Sequence, residues 1–240
     1  MTEPVLQTKG LEAFYGDFQA LFGINFEIHA GETVAIIGSN GAGKSTFLRA
    51  ITGMLQTKAQ DISFMGRNVG GMAAHDLVKE GIAMVPEGRK LFPSLSVEEN
   101  LLIGAYGRSG TDWTLDTVYE LFPILKERRH HGGTELSGGQ QQMVAIGRGL
   151  MSNPKLLLCD EISLGLAPII IKDIYDAVPK IKERGATLIV VEQDVNQALA
   201  VADRVYCFQE GRVSLTGTPA TLTKDQISAA YFGLEAEEAH

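Results

Sequence analysis

Residues 38–45 read GSNGAGKS, the G-x-x-x-x-G-K-[ST] spacing of a phosphate-binding loop. Gly38, Gly41 and Gly43 free the backbone to curl, so that successive N–H groups can point inward and cradle the β-phosphate of a nucleotide. Lys44 then reaches the β- and γ-phosphates, and the Ser45 hydroxyl can hold Mg2+, an ion that keeps several of its waters. The flanks agree with this reading. Residues 33–37 (TVAII) form a short apolar, β-branched run suited to a buried strand, and Phe47, Ala50, Ile51, Met54 and Leu55 recur at the spacing of one helix face. A strand, a glycine loop and a helix in that order put a phosphate at a helix N-terminus, where free N–H groups and the dipole favour an anion.

Composition bounds what such a loop can serve. The chain has 240 residues, enough for one α/β domain with an insertion. Its net charge of −8 and the lack of any basic run argue against a nucleic-acid groove. Cys159 and Cys207 sit inside apolar runs, as small core residues do, which fits a reducing compartment. The first ten residues, MTEPVLQTKG, have no apolar signal core, and no apolar run approaches the ~20 residues that span a bilayer. Any membrane role is therefore expected to come through a partner.

Working outward, residues 6–28 read as strand, interrupted at Tyr15-Gly16, and an aromatic on that turn could stack on a nucleotide base. Residues 61–69 read as a hairpin around Met65-Gly66, residues 75–80 as a short helix and residues 82–85 as a strand. That strand delivers Glu87 to the carboxyl edge of the sheet, where open α/β sheets place ligands. Residues 91–151 read as a mainly helical insertion in which Ser96 and Glu99 have capping-box spacing. Within it, residues 136–142 read LSGGQQQ. Ser137 and Gln140 repeat that spacing, with Gly138 and Gly139 leaving the helix N–H groups unobstructed, so the chain carries a second anion site. A phosphate site with no use in its own monomer suggests service to a neighbour's nucleotide. The apolar run 156–159 ends in Asp160-Glu161, a pair that can divide the labour: Asp160 binds the Mg2+ shell and Glu161 polarises a water for attack on the γ-phosphate. Residues 168–184 read as helix, but Pro179 lacks the N–H that would bond the Tyr175 carbonyl, so a kink is expected there. A strand over 187–191 delivers Gln193, residues 205–208 and 212–215 form a hairpin turning at Glu210-Gly211, and the acidic tail GLEAEEAH is expected to fray.

With the phosphate loop, LSGGQQQ and LLLCDE in this order, the chain resembles the ATP-binding subunits of ABC transporters over nearly its whole length. The resemblance implies an α/β P-loop NTPase fold with a mixed sheet core, an N-terminal antiparallel β subdomain and an inserted helical subdomain. It makes 1–240 a single domain, with core in about 1–90 and 152–240 and the helical part in 91–151. It implies ATP and Mg2+ as cofactors and a head-to-tail dimer, homo- or heteromeric, with each ATP between the phosphate loop of one subunit and the signature loop of the other. Carried over, the ATP-binding set is Tyr15, Gly38, Ser39, Asn40, Gly41, Ala42, Gly43, Lys44, Ser45 and Thr46. Ser137, Gly138, Gly139 and Gln140 face the partner's ATP; Lys44, Glu161 and Gln193 serve catalysis; Ser45, Glu87 and Asp160 serve the metal.

VPEGRKLFPSLSVEENLLIG and CDEISLGLAP narrow the resemblance to the second ATPase of branched-chain amino-acid uptake systems, the LivF type. That implies transmembrane permease subunits, a substrate-binding protein acting indirectly, no nucleic acid, and a place on the cytoplasmic face of the inner membrane. Glu87 stands where most ABC relatives have glutamine, Gln193 where most have histidine, and Ile162 where proline is usual after the acidic pair. The alternatives are an ABC importer for another cargo, such as urea, an amide or another amino acid, and a soluble ABC ATPase acting as an assembly switch. A GTPase is disfavoured because no N-K-x-D motif follows the loop.

Overall fold

The computed structural model describes residues 3–107 and 112–233, so most of the acidic tail lies outside the described residues. Two compact units emerge, one of residues 1–74 with 189–240 and the other of residues 75–188.

In the first unit, β1 (Leu6–Tyr15) and β2 (Phe18–Ile28) form the hairpin that Tyr15-Gly16 punctuates, with Leu6 opposite Ile28 and Tyr15 opposite Phe18. After β3 (Thr33–Ile37) and α1 (Lys44–Ile51), β4 (Ile62–Phe64) and β5 (Arg67–Asn68) complete an antiparallel sheet in the order β2-β1-β4-β5. The turn at Met65-Gly66 is left-handed at both residues, as a tight hairpin requires. α1 stops sooner than its apolar spacing predicts. Thr52 turns its hydroxyl onto the Leu48 carbonyl (2.7 Å), Gly53 adopts φ +70°, and Met54 is left 59% exposed.

The second unit opens with α2 (Ala74–Glu80), whose first residue belongs to the other unit, and continues with β6 (Ile82–Val85) and α3 (Val97–Gly104). α4 (Leu115–Leu121), α5 (Pro123–Glu127) and α6 (Gly138–Leu150) follow, and then β7 (Leu156–Asp160), which pairs in parallel with β6. The segment after β7 is two helices, α7 (Pro168–Tyr175) and α8 (Val178–Glu183). Pro179 accounts for the break: it stands in the first turn of α8, where a missing N–H costs nothing, and Ala177 bonds back only three residues, to Ile174 (3.2 Å).

β8 (Thr187–Glu192), buried throughout, carries the chain back to the first unit. There α9 (Val195–Val201), β9 (Arg204–Gln209), β10 (Arg212–Gly217) and α10 (Lys224–Phe232) follow. β9 pairs in parallel with β3 and antiparallel with β10, so the layer beside the glycine loop is mixed. Ala35, Ile37, Val205, Cys207, Ala198 and Ile227 make one core beneath it, and Phe47 of α1 packs between Phe26 and Phe208, with ring centres 5.0 and 5.4 Å away. Both cysteines are buried and unbridged, and burial pushes the Cys207 thiol up. Among the described residues no helix is long and apolar enough to cross a membrane.

Candidate functional site

β3 is buried over all five residues, which fixes where the chain must turn at Gly38. Gly38 has φ +152°, and a Cβ there would run into the Phe208 carbonyl oxygen, so only glycine lets the loop leave the strand along this path. The loop then closes with Ala42 N–H donating to Ser39 O (3.1 Å), and Gly43 enters α1 as a left-handed N-cap with no side chain to occupy the helix amides. From the first turn of α1, the buried Lys44 ammonium folds back to donate to Gly38 O (2.6 Å) and Ser39 O (3.1 Å). The loop therefore holds a cation and uncapped helix amides around one point, which suits a polyphosphate. The β9–β10 turn braces it: Gly211 N–H donates to Ala42 O (3.0 Å), while Gly211 O accepts from Phe22 N–H (2.9 Å).

Tyr15, at the end of β1, lies beside α1. Its hydroxyl donates to Thr46 Oγ1 (3.5 Å) and accepts from Arg49 Nη1 (3.2 Å), leaving the side chain 41% exposed. Burial alone would raise its pKa, but the hydrogen bonds with Thr46 and Arg49 outweigh it and hold the phenol below its usual range. In the same unit, Gln193 lies between β8 and Asp194, whose carboxylate caps α9 by accepting from the N–H groups of Asn196 (2.9 Å) and Gln197 (3.2 Å).

The remaining sequence candidates lie in the second unit. Asp160 ends a strand buried throughout and is itself only 5% exposed. A carboxylate so placed is costly unless a cation or donors meet it. Glu161 follows in the left-handed region at φ +48°, an unusual conformation for a side-chain-bearing residue and one that concentrates at functional turns. Ile162 is buried, and the chain beyond it makes two successive turns, Leu164 N–H to Glu161 O and Leu166 N–H to Ser163 O, both 3.2 Å. The path after the acidic pair is thus set without a proline. The residues suit magnesium: hydroxyl and carboxylate oxygens are its ligands, and it seldom takes an all-protein cage. Among the described residues no cluster of three or more histidine, cysteine or acidic side chains could hold a metal.

LSGGQQQ forms the start of α6 with Ser137 as N-cap. Ser137 N–H donates to Gln140 Oε1 (3.1 Å) and Gln140 N–H to Ser137 Oγ (3.3 Å), the reciprocal pair its spacing predicts. Gly138 and Gly139, as the first helical residues, have no carbonyl within the helix to bond. Glu87 is exposed, two residues beyond β6.

Sequence reasoning missed what holds the segment after Glu87. Asn100 of α3, fully buried, accepts from Phe92 N–H (2.9 Å) and donates to the carbonyls of Phe92, Leu95 and Ser96 (3.1, 3.2 and 3.0 Å). Arg148 of α6 donates to Lys90 O (2.8 Å) and Arg89 O (3.0 Å), with its guanidinium over the Phe92 ring. Burial lowers the Arg148 pKa. The available signals were an amide inside VEENLLIG and one cation inside MVAIGRGL, stretches whose other buried positions are apolar or small. Asn100→Ala is expected to leave several of these backbone groups unpaired and to cost about 1–3 kcal/mol, read as a lowered thermal midpoint. An unchanged midpoint would show that water replaces the amide.

In the same unit a groove of about 820 Å³ is lined by Val78, Leu95, Leu102, Ile103, Tyr106 and Arg148, among others, with Tyr106 almost fully exposed.

Comparison with known proteins identifies the family and the fold. The family described as ABC transporter matches residues 21–163, and the chain belongs to that family: it is an ABC ATPase with a nucleotide-binding P-loop fold. A high-affinity branched-chain amino acid transport ATP-binding protein, BraG of Pseudomonas aeruginosa, is 45% identical over 95% of this chain and 100% of its own. The solved structure of MJ1267, an ATP-binding cassette of an ABC transporter, superposes with a TM-score of 0.83 at 28% identity, covering 96% of this chain and 99% of that one. A dimeric post-hydrolysis structure of the cassette MJ0796, bound to ADP and Pi, gives a TM-score of 0.78 at 26% identity over 89% and 98% of the two chains.

Proposed function

We propose that this chain is the ATP-hydrolysing subunit of an importer for branched-chain amino acids, working as a head-to-tail dimer with two Mg-ATP at the interface. The observation that carries the nucleotide role is the glycine loop whose buried lysine folds onto Gly38 and Ser39 above uncapped helix amides. The BraG relative, similar over its full length, supports the cargo, and the dimeric cassette supports the pairing. The whole chain acts as one ATP-binding domain, with residues 91–151 as its signature-bearing part.

In this reading Tyr15 stacks on the base, and the loop residues 38–46 wrap the phosphates. Ser45, Asp160 and Glu87 serve the magnesium shell, which neutralises charge on the β- and γ-oxygens when bound. Glu161 accepts the proton of the attacking water, and Gln193 holds the γ-phosphate and that water in line. Ser137 keeps its hydroxyl hydrogen for the partner's γ-phosphate because its oxygen, not its proton, caps α6. The apolar groove beside α3 supports docking of a permease, which would place the chain on the cytoplasmic face of the membrane.

Pull-down of membrane subunits, followed by leucine uptake in vesicles rebuilt with them, tests the assignment; uptake of urea or an amide instead would move it to another importer. Glutamine can donate to phosphate but carries no charge. Gln193→Ala is therefore expected to reduce turnover by about tenfold while the Kd for ATP stays within about threefold, a contribution of order 1.4 kcal/mol made in the transition state. An unchanged rate would remove Gln193 from the mechanism.

A further inference from the structure

The guanidinium of Arg89 lies across the start of the signature helix. A Cβ added at Gly138 would meet Arg89 Nη2 at 3.1 Å and its Cζ and Nη1 at 3.4 Å, so the cation is packed onto the first residue of α6. Among the described residues this side chain makes no hydrogen bond or ion pair, and no carboxylate neutralises it. A positive group at a helix N-terminus is repelled by the dipole unless an anion joins both. The placement is also built rather than incidental. Arg89 and Lys90 are successive left-handed residues (φ +65° and +46°), a conformation that bulky side chains rarely adopt, and Arg148 holds both their carbonyls from the second half of α6. Arg148 in turn sits over Phe92, which Asn100 fixes.

The geometry points to Arg89 as a nucleotide-contacting residue of the signature site, its guanidinium gripping the triphosphate bound to the phosphate loop of a second ATPase subunit. This rests on the shared-site reading proposed above. A planar guanidinium can give two parallel N–H groups to phosphate oxygens, complementing the Gly138 and Gly139 amides and the Ser137 hydroxyl, each of which supplies one donor. Arg148 is then a positioning residue that keeps the strained turn in place. The contact is made across the dimer, so it strengthens ATP-driven association and leaves the nucleotide affinity of the monomer alone.

The test is sedimentation of the full chain carrying Glu161→Gln, with and without Arg89→Ala, titrated with Mg-ATP. The expected result is that Arg89→Ala raises the protein concentration needed for half-dimerisation at saturating ATP at least tenfold, that Arg89→Lys recovers part of this, and that binding of a fluorescent ATP analogue to the monomer and the thermal midpoint both match the parent. Superimposed dimerisation curves, or tighter association without Arg89, overturn the assignment, as does lost analogue binding by the monomer. A Glu161→Gln parent that stays monomeric in Mg-ATP overturns the shared-site reading itself, and the assignment with it.

Discussion

Glu161→Gln stops turnover while leaving ATP bound: phosphate release is expected to fall by about two to three orders of magnitude, within the range of a lost general base. The amide preserves size and one acceptor oxygen but cannot accept the proton of the attacking water. Glu161 stands in a left-handed turn closed by Leu164 N–H on its own carbonyl, and the amide, equal in size, leaves that backbone bond in place. Steady-state phosphate release beside equilibrium ATP binding is the measurement. A rate within threefold of the parent would show that another group activates the water, and Asp160 would be next to examine.

Lys44→Ala weakens ATP binding itself. In the resting loop the ammonium is buried and bonded to Gly38 O and Ser39 O, so it already lies inside the cradle. Binding a triphosphate exchanges these carbonyls for charged oxygens, and truncating one member of such a desolvated pair costs about 2–5 kcal/mol. The Kd should rise by roughly 30-fold or more. Calorimetric titration with Mg-ATP reads this directly, and a Kd within threefold of the parent would mean that the helix amides alone carry the phosphates. The two variants separate the roles: the first keeps nucleotide without turnover, the second weakens both.

Much of this molecule was readable in its residues, for reasons that differ by element. The glycine loop, the start of α6 and the pair Asp160-Glu161 are local in origin: backbone freedom at Gly38 and a reciprocal cap at Ser137 and Gln140 depend on a few neighbouring positions. Pro179 was legible too, because a missing N–H has the same consequence wherever it stands. The end of α1 was not, since Met54 and Leu55 continue the apolar spacing after Thr52 and Gly53 have turned the chain. Least legible were Asn100 and Arg148. Their partners are carbonyls and amides of the segment 89–96, and for Arg148 these lie 58 and 59 positions away. No periodicity announces a side chain whose task is to satisfy distant backbone.

The Glu210-Gly211 turn gives the phosphate loop a natural reporter. The Gly211 amide proton is shielded only while Ala42 holds it, and the Gly211 carbonyl is tied to Phe22 in the same stroke. Any loosening of the cradle has to release that proton to solvent, and any tightening by a bound anion has to retain it. Deuterium uptake at this one hairpin tip, outside the GSNGAGKS stretch itself, would thus record whether the nucleotide seat is slack or taut.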